Sequence, residues 1–194
     1  MVAVPPFYYA VSQEGIYEHF RRIAEASSAP LVVYDIPQHT QNAVGMELRR
    51  RLVRDGITVG IKDSTGNFAD FSRLLLEREL KGAAWIQGND VLDCSSLQLG
   101  AAGMVSGLSN VAPEFFVELF AAAQKGDHEG MKAAQRRINR LADIAPAAGG
   151  NPISGIKAGL SLQDICSKQL RIPGLTASEA QQAAVGDILA ELGL

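Results

Sequence analysis

One lysine in this sequence stands where an amine could act as a nucleophile. Lys62 ends the apolar run Ile57-Thr58-Val59-Gly60-Ile61 and leads into Asp63-Ser64-Thr65-Gly66. A lysine projecting from the carboxyl end of a strand into apolar surroundings is costly as an ammonium unless it is paired or deprotonated. A deprotonated amine condenses with ketones and aldehydes to give a Schiff base. The competing reading is a lysine that bends to solvent or pairs with Asp63. Other apolar runs also end in polar groups: Tyr8 or Tyr9, Tyr34, Asn89 with Asp90, and Ser106. Tyr34, flanked by Val33 and Ile36 and stopped by Pro37, reads either as a packed residue with one hydrogen bond or as a proton carrier facing the amine. Phe7-Tyr8-Tyr9 fits an aromatic cluster at a subunit interface as well as a catalytic group. His39 follows a strand end, where it either touches substrate or is solvated. His19 and His128 sit in helical contexts and are assigned no role. The glycines from Gly100 to Gly107 suit backbone contact with a carboxylate or close strand packing.

These residues must be held by a repeated order in which a short apolar run breaks into polar residues and a helical pattern follows. The runs are Val2 to Tyr9, Leu31 to Pro37, Ile57 to Asp63, Ala83 to Asp90 and Gly103 to Gly107. Continuous apolar runs of this length suit strands of a parallel sheet buried on both faces. Between them the pattern predicts a helix from Ser12-Gln13-Glu14 to about Glu25, one from Gly45 to Arg54, one capped by Asn67, and one from Asp90 to Leu99. Pro113 to Lys125, closed by Gly126, is followed by a helix rich in Ala, Arg and Gln that runs to about Ala145. A loop from Pro146 to Pro152, a helix from Ile153 to about Leu170 and a last helix opened by Thr176-Ala177-Ser178-Glu179 complete the chain. Tyr8, Tyr34, Lys62 and Gly88 recur at intervals of 26, 28 and 26 residues. That spacing suits βα units, and no glycine-rich dinucleotide fingerprint follows a strand. The expected fold class is α/β, a partial TIM (β/α)8 barrel of about five units. Residues 1–145 form the barrel part, and residues 146–194 are a helical extension packed on it.

Composition narrows the function classes. The 194 residues are 47% hydrophobic and 20% charged, with 18 basic and 21 acidic side chains and a net charge of −3. No basic stripe is present, so a nucleic-acid partner is not expected; the richest run, Arg49-Arg50-Arg51, reads as the polar face of a helix. No stretch approaches the roughly 20 apolar residues of a membrane span, and the opening Met1-Val2-Ala3-Val4-Pro5-Pro6 lacks signal-peptide order. The expected location is cytoplasmic. Cys94 and Cys166 have no metal-type spacing, and neither a disulfide framework nor a metal site is expected.

Four motifs in fixed order carry a family resemblance. Tyr34-Asp35-Ile36-Pro37, Gly60-Ile61-Lys62-Asp63-Ser64-Thr65-Gly66, Gln87-Gly88-Asn89-Asp90 and Gly100-Ala101-Ala102-Gly103-Met104-Val105-Ser106 resemble the dihydrodipicolinate synthase and N-acetylneuraminate lyase superfamily. The likeness runs from about Val4 through Asn151-Pro152-Ile153 to the final helix. It implies a (β/α) barrel and a class I, Schiff-base-forming, pyruvate-dependent aldolase or lyase. By this resemblance Lys62 forms the imine with pyruvate or another 2-oxo acid, and Tyr34 passes protons to and from the bound substrate. Tyr8 matches the tyrosine that completes a proton relay, in the synthases by reaching into a neighbouring subunit's site. Val105 and Gly88 match the lining of the Schiff-base pocket. The implied partners are a 2-oxo acid, an aldehyde and further copies of the chain in a dimer or tetramer. No metal or external cofactor is implied, because the iminium is the electron sink.

Three positions depart from the synthase and lyase patterns. Asp35 replaces an asparagine, and His39 stands where synthases carry the arginine that binds the carboxylate of aspartate semialdehyde. Histidine is a poorer bidentate partner for a carboxylate. Val91 follows Asp90 where sialic acid lyases place a sugar-binding acid. A 2-keto-3-deoxy sugar acid aldolase or a related hydratase is therefore the alternative activity. The chain also matches only the carboxyl-terminal part of the barrel, lacking a Gly-Thr-Thr-Gly-type motif and about three units of a roughly 250-residue barrel. An alternative of another class is an inactive truncated barrel that acts only in association.

Overall fold

The computed structural model describes residues 1–194, which divide into two compact units, Met1–Val105 and Ser106–Leu194. The first unit holds five parallel strands: β1 (Val2–Ala3), β2 (Val32–Asp35), β3 (Gly60–Asp63), β4 (Ala84–Gln87) and β5 (Gly103–Met104). They pair in the order β1-β2-β3-β4-β5. A doubly wound sheet reverses order at a switch point, whereas strands laid down in sequence follow the winding of a barrel. The crossovers are built from α1 (Gln13–Glu25), the short α2 (Pro37–Thr40), α3 (Met46–Arg54), α4 (Phe68–Leu76) and α5 (Asp93–Gln98). The fold is the expected partial (β/α)8 barrel with a helical carboxyl-terminal end.

Strand pleating decides which residues enter the core. Val33, Ile61 and Trp85 point to the helical side and pack with Ile16 and Phe20 of α1, Leu48 and Leu52 of α3, and Phe71 and Leu74 of α4. Their neighbours Tyr34, Lys62 and Ile86 point to the other face and are half-buried. The helices begin where short polar side chains satisfy their first amides. Ser12 accepts from Gly15 N–H, and Asn67 accepts from Asp70 N–H.

The first strand is much shorter than its apolar run. Only Val2 and Ala3 pair with β2, because Pro5 and Pro6 lack the N–H groups that a ladder needs. The chain instead turns through a loop held by buried Asn42. Its Nδ2 donates to the carbonyls of Pro6 and Tyr9 at 2.7 and 2.8 Å, and its Oδ1 accepts from Val11 N–H at 2.8 Å.

The second unit contains α6 (Pro113–Lys125), α7 (His128–Ala142), α8 (Ile144–Ala147), α9 (Pro152–Leu162) and α10 (Glu179–Leu192). Gly126 closes α6 in the left-handed region at φ 67°, as the Pro-to-Gly spacing predicts. Two boundaries differ from expectation. The helix expected to reach about Leu170 stops at Leu162, with Asp164 left-handed at φ 58°. Part of the expected loop from Pro146 is helical, since Ile144 to Ala147 form a turn on a buried Ile144. The last helix starts as predicted, with Ser178 and Gln181 making a reciprocal capping box. No helix is long and apolar enough to cross a membrane.

Two features of the first unit carry stability tests. A Cβ on Gly60 would stand 2.4 Å from the Ala84 carbonyl oxygen, so Gly60→Ala forces β3 and β4 apart. We expect a loss of about 1–3 kcal/mol, read from the urea midpoint. Asp93 opens α5, is 1% exposed, and has no partner for either carboxylate oxygen. Burial, with the nearby charge of Asp90 adding to it, pushes this carboxyl up to about 8 from its ordinary 3.8. Because the folded value is raised, stability is whole below the unfolded value, falls as pH rises, and reaches its floor above the folded value. Asp93→Asn is neutral throughout. It should match the parent near pH 4 and exceed it by several kcal/mol near pH 9, the gap that linkage sets between the two pKa values. A stability difference independent of pH would contradict this.

Candidate functional site

The carboxyl ends of β2, β3 and β4 present two rows of side chains, one on each face of the sheet. Register pairs Tyr34 with Lys62 and Lys62 with Ile86 on the open face. On the helical face it pairs Asp35 with Asp63 and Asp63 with Gln87. Alternation separates the rows, so Lys62 and Asp63 look in opposite directions despite being neighbours.

On the open face the Lys62 Nζ lies 3.9 Å from the centroid of the Tyr34 ring, against its face. Lys62 makes no hydrogen bond or ion pair, so the pairing with Asp63 allowed by the sequence does not occur. The Tyr34 hydroxyl is also without a protein partner. Gly88 follows β4 immediately behind this pair. A Cβ there would meet the Lys62 Cε at 2.9 Å and the Ser64 Oγ at 2.1 Å, so the lysine stem crosses a place that only glycine leaves open. The Gly88 N–H is anchored on the Asp63 carbonyl at 2.8 Å, and the Ser64 hydroxyl donates to the Gly88 carbonyl at 3.2 Å.

On the helical face the polar strand-end side chains Asp35, Asp63 and Gln87 are all hydrogen-bonded. Gln87 Nε2 donates to the Ser96 hydroxyl at 2.8 Å, while its Oε1 accepts from the N–H groups of Gly88 and Asn89 at 3.0 and 2.9 Å. Asp63 Oδ1 accepts from the Thr65 N–H and hydroxyl at 2.8 and 2.7 Å. Between Asp35 and Asp63 lies Arg49 of α3. Its Nη1 donates to Asp63 at 2.7 Å, its Nη2 to Asp35, and its Nε to the Val44 carbonyl at 2.8 Å. Burial, the largest influence, pushes the Asp35 carboxyl above the ordinary range against the pull of Arg49. Burial disfavours the Arg49 charge, but the two carboxylates outweigh it and hold the guanidinium charged.

Arg49 corrects the sequence reading. The run Arg49-Arg50-Arg51 reads as the polar face of a helix, yet Arg49 is 4% exposed, whereas Arg51 keeps the outward position. The missed signal is the position of Asp35 and Asp63. Two acids, each one residue beyond a half-buried strand residue, need a buried cation between them.

The remaining candidates are less concentrated. Tyr8 is 71% exposed with φ 80°, and its ring meets Tyr9 edge to face at 4.8 Å between centroids. No hydrogen bond or ring contact joins it to Tyr34 or Lys62. His39 lies exposed on α2, and its ring makes no hydrogen bond. Val105 is half exposed beyond β5, with its N–H bonded to the Gln87 carbonyl at 2.9 Å. In the glycine segment the amides of Ala101 and Ala102 are likewise bonded to backbone carbonyls. Ser106 opens the second unit, where its hydroxyl accepts from Ser109 N–H at 3.3 Å. His19 holds the Val4 carbonyl at 3.1 Å. It borders an open groove of about 440 Å³ beside β1, which Val2, Pro5, Ile23 and Tyr34 also line. No cluster of His, Cys, Asp and Glu has the makings of a metal site.

A family model described as the dihydrodipicolinate synthetase family matches residues 1–192. An uncharacterised DapA-like lyase of Halobacterium salinarum is 34% identical over 195 residues, covering all of this chain and 62% of that protein. A 4-hydroxy-tetrahydrodipicolinate synthase of Corynebacterium diphtheriae is 32% identical over 93% of this chain and 58% of its own length. The crystal structure of dihydrodipicolinate synthase from Thermotoga maritima superposes with a TM-score of 0.90 at 31% identity, covering 99% of this chain and 65% of that one. The chain thus spans less than two thirds of the length of each of these relatives. With the family model matching almost end to end, this chain belongs to the dihydrodipicolinate synthetase family.

Proposed function

We propose that this chain carries the Schiff-base-forming strands of a class I aldolase or lyase acting on pyruvate or a related 2-oxo acid. The observation that supports this most is the unpaired Lys62 amine set against Tyr34, with its stem crossing Gly88. Lys62 Nζ attacks the ketone carbon to give a carbinolamine. Tyr34 supplies a proton to the departing hydroxyl, water leaves, and a C=N bond remains between Lys62 and the substrate. Loss of a proton from the methyl carbon then gives an enamine, with the iminium nitrogen receiving the electron pair. The enamine carbon adds to an aldehyde, or the reverse order cleaves a 2-oxo acid, and water finally releases Lys62. The chemistry needs no metal or external cofactor.

Tyr8 and Val105 complete the site in this reading. The Tyr8 ring is turned outward by a loop pinned on Asn42, which suits delivery into the site of a second copy in a dimer or tetramer. A second activity, cleavage or dehydration of 2-keto-3-deoxy sugar acids, is favoured by one observation. Exposed His39 occupies the place of the carboxylate-binding arginine, so an aldehyde without a carboxylate suits this pocket better. An inactive barrel working only in association is the competing class.

Borohydride reduction in the presence of pyruvate separates these readings. The expected product is a covalent adduct on Lys62, absent in Lys62→Ala and formed about a hundredfold more slowly in Tyr34→Phe. No adduct under conditions that label a full-length relative, or an adduct confined to another lysine, would overturn the proposal. Gly88→Ala displaces the lysine stem and should slow trapping at least about tenfold. A Gly88→Ala protein that traps at the parent rate would show that the stem does not need this path. Screening pyruvate with aspartate semialdehyde and with sugar aldehydes then distinguishes the two activities.

A further inference from the structure

We infer that Arg49 is a positioning residue for the Lys62–Tyr34 pair, acting from the opposite face of the sheet through the strand ends that carry them. This inference rests on the function proposed above. Tyr34 and Lys62 make no hydrogen bonds of their own to fix their spacing, so their relation is set by the backbones of β2 and β3. Those backbones are joined, one residue further on, by Asp35 and Asp63, which are partners in the strand register. Two carboxylates facing each other across adjacent strands repel and by themselves would spread the strand ends. The planar guanidinium between them turns that repulsion into a clamp, with one nitrogen for each carboxylate.

The clamp is itself anchored. Arg49 Nε is tied to the Val44 carbonyl, and Val44 N–H donates to both Asp35 oxygens at 3.3 Å. Asp63 is held on its other oxygen by Thr65. All three charged side chains are almost wholly out of solvent, where a charge-assisted bond is neither screened nor exchanged for water. A displacement of either strand end is therefore resisted at Arg49 and felt at Lys62 or Tyr34, one residue away.

The test compares Arg49→Lys, Asp35→Ala and Asp35→Asn in the same protein. Lysine keeps the charge and loses the fork. Asp35→Ala cuts the tie to β2 but leaves a neutral Arg49–Asp63 pair, so it remains available if Arg49→Lys does not fold. Asp35→Asn keeps an acceptor for Arg49. Two readouts are taken on folded protein. One is the ring-current shift of the Lys62 methylene signals, seen in lysine-labelled protein and assigned with Tyr34→Leu. The other is the maximal rate of pyruvate trapping, measured separately from the pyruvate concentration that half-saturates it. Arg49→Lys and Asp35→Ala should each lose at least half of the ring-current shift. They should trap about tenfold more slowly, with half-saturation within about twofold of the parent. Asp35→Asn should retain both signals.

A purely structural role would lower the unfolding midpoint and leave both readouts unchanged per folded molecule, which would overturn the inference. An altered shift with undiminished trapping would overturn it as well. If the parent forms no adduct on Lys62, the proposed function fails and takes the inference with it. A parent that traps normally while the variants are unaffected removes the inference alone.

Discussion

Neighbouring residues on a parallel strand must look to opposite faces, and the rest of this structure follows from how that constraint is met at the ends of β2, β3 and β4. The helical face is closed, so every polar group sent there needs a partner. Asp35, Asp63 and Gln87 each find one. The other face carries Tyr34, Lys62 and Ile86, which are left with few polar commitments. The Lys62 amine, next to a carboxylate in sequence, is thereby kept from that carboxylate in space. The separation takes no dedicated residue, because the pleat provides it.

The strand and helix order was legible because it depends on local, periodic signals, whereas the residues alone left Lys62 and Tyr34 open between packing and chemistry and only the family resemblance singled them out. Apolar runs ending in polar residues located all five strands, and the caps at Ser12, Asn67 and Ser178 are where the residue types place them. The length of β1 was not legible from hydrophobicity alone, since Pro5 and Pro6 remove the donors while keeping the apolar character. The early end of α9 depends on Asp164 taking a left-handed conformation, which no composition rule requires. The clamp at Arg49 was hidden for a different reason. Three consecutive arginines look alike in sequence, and only the packing of α3 on the sheet decides which one is buried.

Gly88 shows the two sources of information meeting. Its pocket role was implied by resemblance, while the steric reason appears only when the path of the Lys62 stem is known. Asn42 is the opposite case. Nothing in its immediate neighbours marks it, yet it organises the loop that turns three aromatic residues outward. Long-range side-chain to backbone bonds of this kind link positions more than thirty residues apart, so a local reading has no access to them.

The buried triad also bears on how such a chain can change over generations. Replacing Arg49 alone with an apolar residue strands two carboxylates in the core, and replacing Asp35 and Asp63 together strands a guanidinium. Viable descendants therefore pass through steps that keep the local charge close to balance, such as an amide at position 35 before any loss at position 49. Positions 35, 49 and 63 should accordingly covary as a group among relatives, although the middle one lies on a helix and the other two on strands.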